Sequence, residues 1–349
     1  MQIRGVIFNV GSETIKYSFF KGKQIMERKK IYARPNKKII NNILDEAELK
    51  LGKIDIVAHR VVHGYGLKSC FVNKNVINKI KKASPLAILH NPYQLKVIEI
   101  IKEKWSKLKQ FVAFDTDAFT ELPLISKTYA LPLSVVEKYK IYRYGFHGLN
   151  IEYINSLLKR EIGKKFNAII FHLGAGCSVT AIKNGKPIET SMGFTPLEGC
   201  IMVNRAGNID AGIVLFLCKK LGIKKTEKNL HNAGILALTG IKDIRKVIEL
   251  RNKSKRYGFA FEMFCYRASQ IAASYMINFD NIDAFVFTGG IGENSWQVRE
   301  RIMSWLKIKI DKKKNKKNEK YIRNKKPYIL VIKANEEKTI LDKLFSMIK

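Results

Sequence analysis

The chain has 349 residues, 46% of them hydrophobic and 27% charged, which is enough for two core-bearing domains. No apolar run is long enough to span a bilayer and the first residues already read as a strand, so a soluble, cytoplasmic protein with no membrane partner is expected. The net charge is +34, but the lysines are scattered over helix-like faces such as VINKIKKASP, and no zinc-finger or RNP-type motif accompanies them; no specific nucleic-acid partner is expected.

Residues 3–9 read as a strand that ends on Asn9, Val10, Gly11 and Ser12. A second and third strand follow, joined by a Lys-Gly-Lys turn. Residues 53–66 (KIDIVAHRVVHGYG) read as a buried strand running into a glycine turn. NKNVINKIKKASP predicts a helix that stops near Pro85. HNPYQLKVIEIIKEKW predicts another, with Asn91 as N-cap and Pro92 at the first helical position. Residues 110–116 form a strand that delivers Asp115 at its end, and EYINSLLKREIG is an amphipathic helix.

The opening device then recurs. IIFHLGAGCSVTAIKNGKPIET, from Ile169 to Thr190, repeats strand, glycine turn, strand, tight turn and strand. Helices are predicted around 212–221 and 257–277. Residues 281–295 (NIDAFVFTGGIGENS) read as a strand, a glycine-rich turn and a helix start. The lysine-rich run from Asp311 to Lys326 reads as an exposed loop. Residues 327–337 are a last strand, and EKTILDKLFSMI a closing helix that crosses back to the first half. Interleaved strands and helices give an α/β class. The expected division is 1–117 with 338–349 as one domain and 118–337 as the other.

A glycine between strands lets backbone N–H groups approach an anion with no Cβ in the way. Asn9, Ser12, Thr14 and Lys16 surround the first turn; His172, Gly174, Gly176 and Ser178 surround the second. Gly290, Gly292 and their neighbours make a third at a strand's carboxyl end. None matches the P-loop or dinucleotide fingerprint. Repeated glycine turns therefore predict a two-lobed clamp on a polyphosphate. The five cysteines form no CxxC pair, so reduced thiols are expected, with neither disulfides nor zinc.

AHRVVHG (58–64), LHNP (89–92), RYGFHG (143–148), TSMGFTPLEG (190–199), TGGIGENS (288–295) and ANEE (334–337) occur in the order found in acetate kinases, and the chain resembles that family over nearly its whole length. The resemblance implies two similar domains of the actin-like ATPase (ribonuclease H-like) type with a cleft between them. It implies phosphoryl transfer between ATP and acetate, giving acetyl phosphate and ADP, with Mg2+, in a homodimer. Runner-up readings are a kinase of propionate or another short-chain acid, and a non-catalytic nucleotide-binding relative.

Carried over position by position, the resemblance makes Arg60, Asp115, His147 and Arg205 the catalytic set. Arg60 also holds the acyl phosphate. His90 lies in the substrate site, and Val62, Leu89, Phe146 and Pro196 form a small apolar pocket around the acetyl methyl. Lys16, the stretch His172, Leu173, Gly174, Ala175 and Gly176, then Asp243, Ile244 and Arg245, and Gly290, Ile291, Gly292, Glu293 and Asn294 face the nucleotide. Glu336, with Asn9, is associated with the metal. His59 and His63 are read as structural supports. Ala175, Tyr65, Ile151 and Asn208 depart from the family's pattern, and the loss of a polar group at Ala175 predicts weaker nucleotide binding.

Overall fold

The protein is described from a computed structural model that covers residues 2–348. The chain forms two compact units: Met1–Thr120, Phe146–Tyr153 and Asn335–Lys349 in the first, Glu121–Gly145 and Ile154–Ala334 in the second. Residues 118–120, 146–153 and 335–337, expected with the second half, cluster with the first. Hydrogen bonds explain this placement. Gly148 N–H donates to the Asp115 carbonyl at 2.9 Å, and Asn335 N–H donates to Asn150 Oδ1 at 3.2 Å.

The first unit is built on a six-stranded sheet of β1 (Arg4–Val10), β2 (Ile15–Lys21), β3 (Gln24–Ile31), β4 (Ile56–Val61), β5 (Cys70–Phe71) and β6 (Lys109–Phe114). Its order is β3-β2-β1-β4-β6-β5, with β1, β4 and β6 parallel and the other pairings antiparallel. The second unit repeats this with β7 (Ala168–Leu173), β8 (Cys177–Lys183), β9 (Lys186–Thr190), β10 (Ala284–Thr288), β11 (Tyr321–Arg323) and β12 (Tyr328–Val331). Its order, β9-β8-β7-β10-β12-β11, matches the first strand for strand, including the short antiparallel edge strand. This α/β architecture is the doubled one of the actin-like ATPases, and the repeated hairpin in the sequence is its first three strands.

Alternation along β1 and β4 sets the two faces of the first sheet. Val6, Phe8 and Val57 point to helices α1 (Lys37–Leu51) and α3 (Asn91–Lys104), which bury Ile40, Leu44, Val97 and Ile101 against them. Between those two helices in the chain lies α2 (Lys74–Ala83), capped by the Asn73 side chain on Val76 N–H at 2.9 Å. Ile7, Ile56 and Ala58 point the other way, to Leu149 of α4 (Gly148–Glu161) and to Ile340, Leu341 and Leu344 of the closing helix, Glu336–Met347. The expected cap of α3 moves by one residue. His90 occupies the cap position and Asn91 is helical, because its amide is engaged elsewhere.

In the second unit α5 (Ala211–Leu221) and α6 (Lys255–Met276) follow β9, and α6 packs on β7 and β8. The glycine-rich segment after β10 is not a loop. It starts a helix at once, α7 (Gly289–Asn294), followed by α8 (Trp296–Trp305). The lysine-rich run is not a loop throughout either. It contains α9 (Lys312–Lys316) and β11, and its Asn315 is fully buried because it bonds a buried arginine.

Candidate active site

The carboxyl ends of the parallel strands β1, β4 and β6 carry Asn9, Arg60 and, one residue past the strand, Asp115. The register pairs Phe8 with His59 and Arg60 with Ala113, so these ends lie side by side. The Arg60 guanidinium forks onto Asp115, with Nε donating to Oδ1 at 3.0 Å and Nη2 to Oδ2 at 2.8 Å. Its Nη1 lies 3.4 Å from Glu336 Oε1, at the start of the closing helix. Burial opposes the charge on Arg60, but the carboxylates of Asp115 and Glu336 outweigh it and hold the guanidinium ionised. Burial pushes the Asp115 carboxyl up from its usual range, with the Arg60 fork opposing.

His147 approaches the same cluster through its backbone N–H, which donates to the Asp115 carboxylate. Its φ of +61° is in the left-handed region, uncommon for a side-chain-bearing residue. The next residue must be glycine: a Cβ on Gly148 would lie 2.1 Å from the Asp115 carbonyl oxygen. The chain thus doubles back tightly against Asp115, and this fixes where the His147 ring begins.

Two side-chain amides, Asn91 in a role other than the expected cap and Gln94, which the sequence reading did not single out, hold the loop after β4. Asn91 accepts His63 N–H at 3.0 Å and donates to His63 O at 2.9 Å. Gln94 accepts Val62 N–H at 3.0 Å and donates to Val10 O at 3.1 Å, tying the ends of β1 and β4 together. Val62 and Phe146 are buried, Leu89 and His90 half-buried, and Phe146 meets His63 edge-on at 5.5 Å. A Cβ on Gly11 would lie 3.9 Å from His90 Nδ1, so the first glycine turn abuts His90. His59 is fully buried, stacked on Phe8 and bonded to Gln110 Oε1 at 2.8 Å. Lys16, across from Asn9 on β2, is exposed.

Tyr65 stands where the family pattern has glycine and adopts φ +51°, so the glycine-like turn is kept with a tyrosine. Its N–H donates to His63 Nδ1 at 3.0 Å.

In the second unit, His172 of β7 lies between Ser178 and Thr288 on adjacent strands. A Cβ on Gly289 would lie 2.7 Å from the Leu173 carbonyl, so α7 with Gly290, Ile291, Gly292, Glu293 and Asn294 packs against the Leu173–Gly176 turn. Ala175 is exposed, and its carbonyl accepts Val203 N–H at 3.3 Å, which binds that turn to the loop carrying Arg205. The Arg205 side chain is buried and donates through Nη1 to Pro196 O at 2.9 Å. Its Nε meets no acceptor, and no carboxylate pairs with it among the described residues; burial pushes its pKa down. Asp243 caps the following helix, with Ile244 buried, and forks onto the exposed Arg245. Asn208 closes the LEG turn, accepting Gly199 N–H at 2.8 Å.

The motifs RYGFHG and TSMGFTPLEG are bolted together by residues given no role in the sequence reading. Arg143 donates to Glu198 at 2.7 Å and to the Thr190 carbonyl at 3.1 Å, and Tyr129 bonds the other Glu198 oxygen. A Cβ on Gly193 would lie 1.6 Å from that oxygen.

No three His, Cys, Asp or Glu side chains cluster as a metal site among the described residues. The Glu336 carboxylate, partly open to solvent, and the Asn9 amide are hard oxygen donors. A sparse set of this kind fits magnesium, which keeps most of its shell as water and substrate phosphate.

The Acetokinase family profile matches residues 5–342. An acetate kinase of Francisella tularensis is 39% identical over 310 residues, covering 85% of this chain and 80% of its own. One from Buchnera aphidicola is 38% identical over 379 aligned positions, covering 99% and 93%. The crystal structure of a propionate kinase from Francisella tularensis superposes with a TM-score of 0.90 at 32% identity, covering 98% of each chain. With the profile spanning both sheets and such relatives aligned along most of its length, this chain belongs to the acetokinase family.

Proposed function

We propose that this protein is an acetate kinase, transferring a phosphoryl group reversibly between ATP and acetate to give acetyl phosphate and ADP. The observation that carries the reading is Arg205, a buried guanidinium with an unpartnered Nε and, among the described residues, no carboxylate paired with it. A buried charge without a counter-ion is costly, and an anionic ligand would offset that cost. A phosphoryl group passing between two oxygens supplies such an anion.

An acetate oxygen attacks the γ-phosphorus in line while the bond to the ADP oxygen breaks. Acetate is already ionised near neutral pH, so no base is required. Arg60 holds the acyl phosphate through the edge of its guanidinium that the Asp115 fork leaves over, and Arg205 covers the equatorial oxygens with its positive charge and its unpartnered Nε–H. Asp115 fixes the Arg60 plane and acts through orientation and charge, and the His147 ring donates to an equatorial oxygen. His90, Val62, Leu89, Phe146 and Pro196 receive the acetyl end. Lys16, the Leu173–Gly176 turn with His172, α7 and the Asp243–Arg245 pair serve the nucleotide. Glu336 and Asn9 would hold the magnesium ion, which supplies charge neutralisation between phosphates when bound.

We assign the acyl side to the first half of the chain and the nucleotide side to the second, and a cytoplasmic setting fits both substrates. A homodimer is supported by α5, whose Ile213, Leu215 and Phe216 are 46%, 64% and 58% exposed.

The test is hydroxamate trapping of acetyl phosphate from acetate, ATP and magnesium. Folded protein that yields no hydroxamate would end the proposal. Arg205→Lys is expected to lower kcat/KM by about 100-fold, since an ammonium keeps the charge but loses the planar fork. The propionate kinase neighbour makes propionate the second candidate. One methylene in a small apolar pocket is worth about 1–3 kcal/mol, so acetate should lead propionate in kcat/KM.

A further inference from the structure

The closing helix presents Glu336 and Lys343 seven residues apart, two turns along and on the same face. The Lys343 ammonium donates to Asp117 Oδ2 at 2.9 Å and to Glu152 Oε1 at 2.8 Å. Asp117 lies two residues past Asp115, and Glu152 five residues past His147 on α4. Asp117 Oδ2 also accepts Ser69 N–H at 2.9 Å and Ser69 Oγ at 2.6 Å, on the loop that leaves Val62. Thus one ammonium joins the segments that carry Asp115, His147 and Glu336, and Asp117 extends the junction to a fourth.

The contacts at the other end of the helix leave Lys343 a distinct role. Glu337 bonds Ser18 and Arg28 on β2 and β3, and Thr339 Oγ1 donates to Leu149 O at 2.8 Å. These contacts hold the helix on the sheet near its start. They do not reach the segment after β6, which Lys343 ties directly to this helix through its ion pair with Asp117. Side-chain exposure is 22% for Lys343 and 7% for Asp117, so the pair is mostly shielded from competing water.

We propose that Lys343 is a positioning residue of the phosphoryl-transfer site, setting Glu336, Asp115 and His147 in mutual register without touching substrate. The inference rests on the kinase reading above. Without the ammonium, Asp117 and Glu152 face each other as like charges, and the segments they belong to shift in register while their backbone bonds hold them together. A misplacement of about 1 Å at reacting groups costs on the order of 100-fold.

Lys343→Met keeps the side-chain length and removes the charge, and Lys343→Arg keeps the charge. In steady-state hydroxamate assays of the full chain, Lys343→Met should lose about tenfold or more in kcat, with KM for ATP within about twofold, because the nucleotide contacts are elsewhere. Lys343→Arg should recover most of the loss, which a purely packing role would not produce. Should Lys343→Met not fold, Glu152→Gln, which leaves the ammonium and Asp117 in place, should show a smaller fall in kcat alone. Wild-type kcat in folded Lys343→Met, or in Glu152→Gln where that substitutes for it, would overturn the inference. So would a loss seen only in KM, or a failure of Lys343→Arg to recover activity. Inactive wild-type protein would instead overturn the kinase reading, so the two failures are separable.

Discussion

Burial of the His59 imidazole between Phe8 and Gln110 pushes its pKa from 6.5 down to about 4. Between those two values the unfolded chain carries the proton and the folded chain does not. Stability contributed by the neutral ring is therefore complete above about pH 6.5 and is lost as the pH falls toward about 4, an effect of about 3 kcal/mol. Urea unfolding of wild type and His59→Gln at several pH values checks this. The difference in stability between the two should change across that window and be flat above it. Arg60 makes the complementary point. Its motif named it as a phosphate ligand, but only the fold brings up Asp115, which takes the Nε and one Nη of its fork. Ala175 was expected to weaken nucleotide binding through a missing side-chain amide. The backbone of that turn is nonetheless held, by Val203 on one side and by the Gly174 N–H to Gly176 O bond at 3.0 Å on the other.

Helix α7 depends on an arginine that belongs to the next helix. Arg299 is fully buried and donates to Gly292 O at 2.8 Å and Glu293 O at 3.0 Å. It also donates to Asn315 Oδ1 at 2.7 Å and Asn318 Oδ1 at 2.6 Å. No carboxylate pairs with it among the described residues, and burial pushes its pKa down to about 10. Arg299→Met would leave carbonyls and amides buried without partners, at a cost of about 3–5 kcal/mol in a urea titration. Because α7 packs on the Leu173–Gly176 turn, KM for ATP should rise in the same variant while KM for acetate holds. This arrangement also explains the lysine run. Its charges suggested a solvated loop, yet the asparagines among them serve a buried guanidinium, and α9 forms around Asn315. Nothing local in DKKKNKK announces a partner sixteen residues away.

The chain as a whole carries +34 charges, and it presents an apolar helix to its surroundings. Exposed charge of one sign attracts anionic substrates, an effect that falls with ionic strength. KM for ATP should therefore rise as salt increases from about 0.05 M to about 0.5 M, with kcat nearly constant. On α5, Phe216→Glu places a charge in the middle of the face proposed to meet a second copy. Analytical ultracentrifugation should then find monomers where wild type sediments as dimers. Wild-type protein that is monomeric at micromolar concentration would refute that assignment.

Periodicity and local chemistry were sufficient for much of this protein. Apolar runs bounded by glycine gave away the strands, and the repeated hairpin announced two sheets of one design. Motif order alone named the family and the groups Arg60, Asp115, His147, Arg205 and Glu336. The strand-for-strand match of the sheets, the fork between Arg60 and Asp115, the orphaned Arg205 Nε, and the burial of Arg299 and Asn315 came only with the tertiary structure. Each of these depends on partners brought together across long stretches of chain, whereas a sequence pattern reports only the neighbours that helix and strand geometry place a few residues apart.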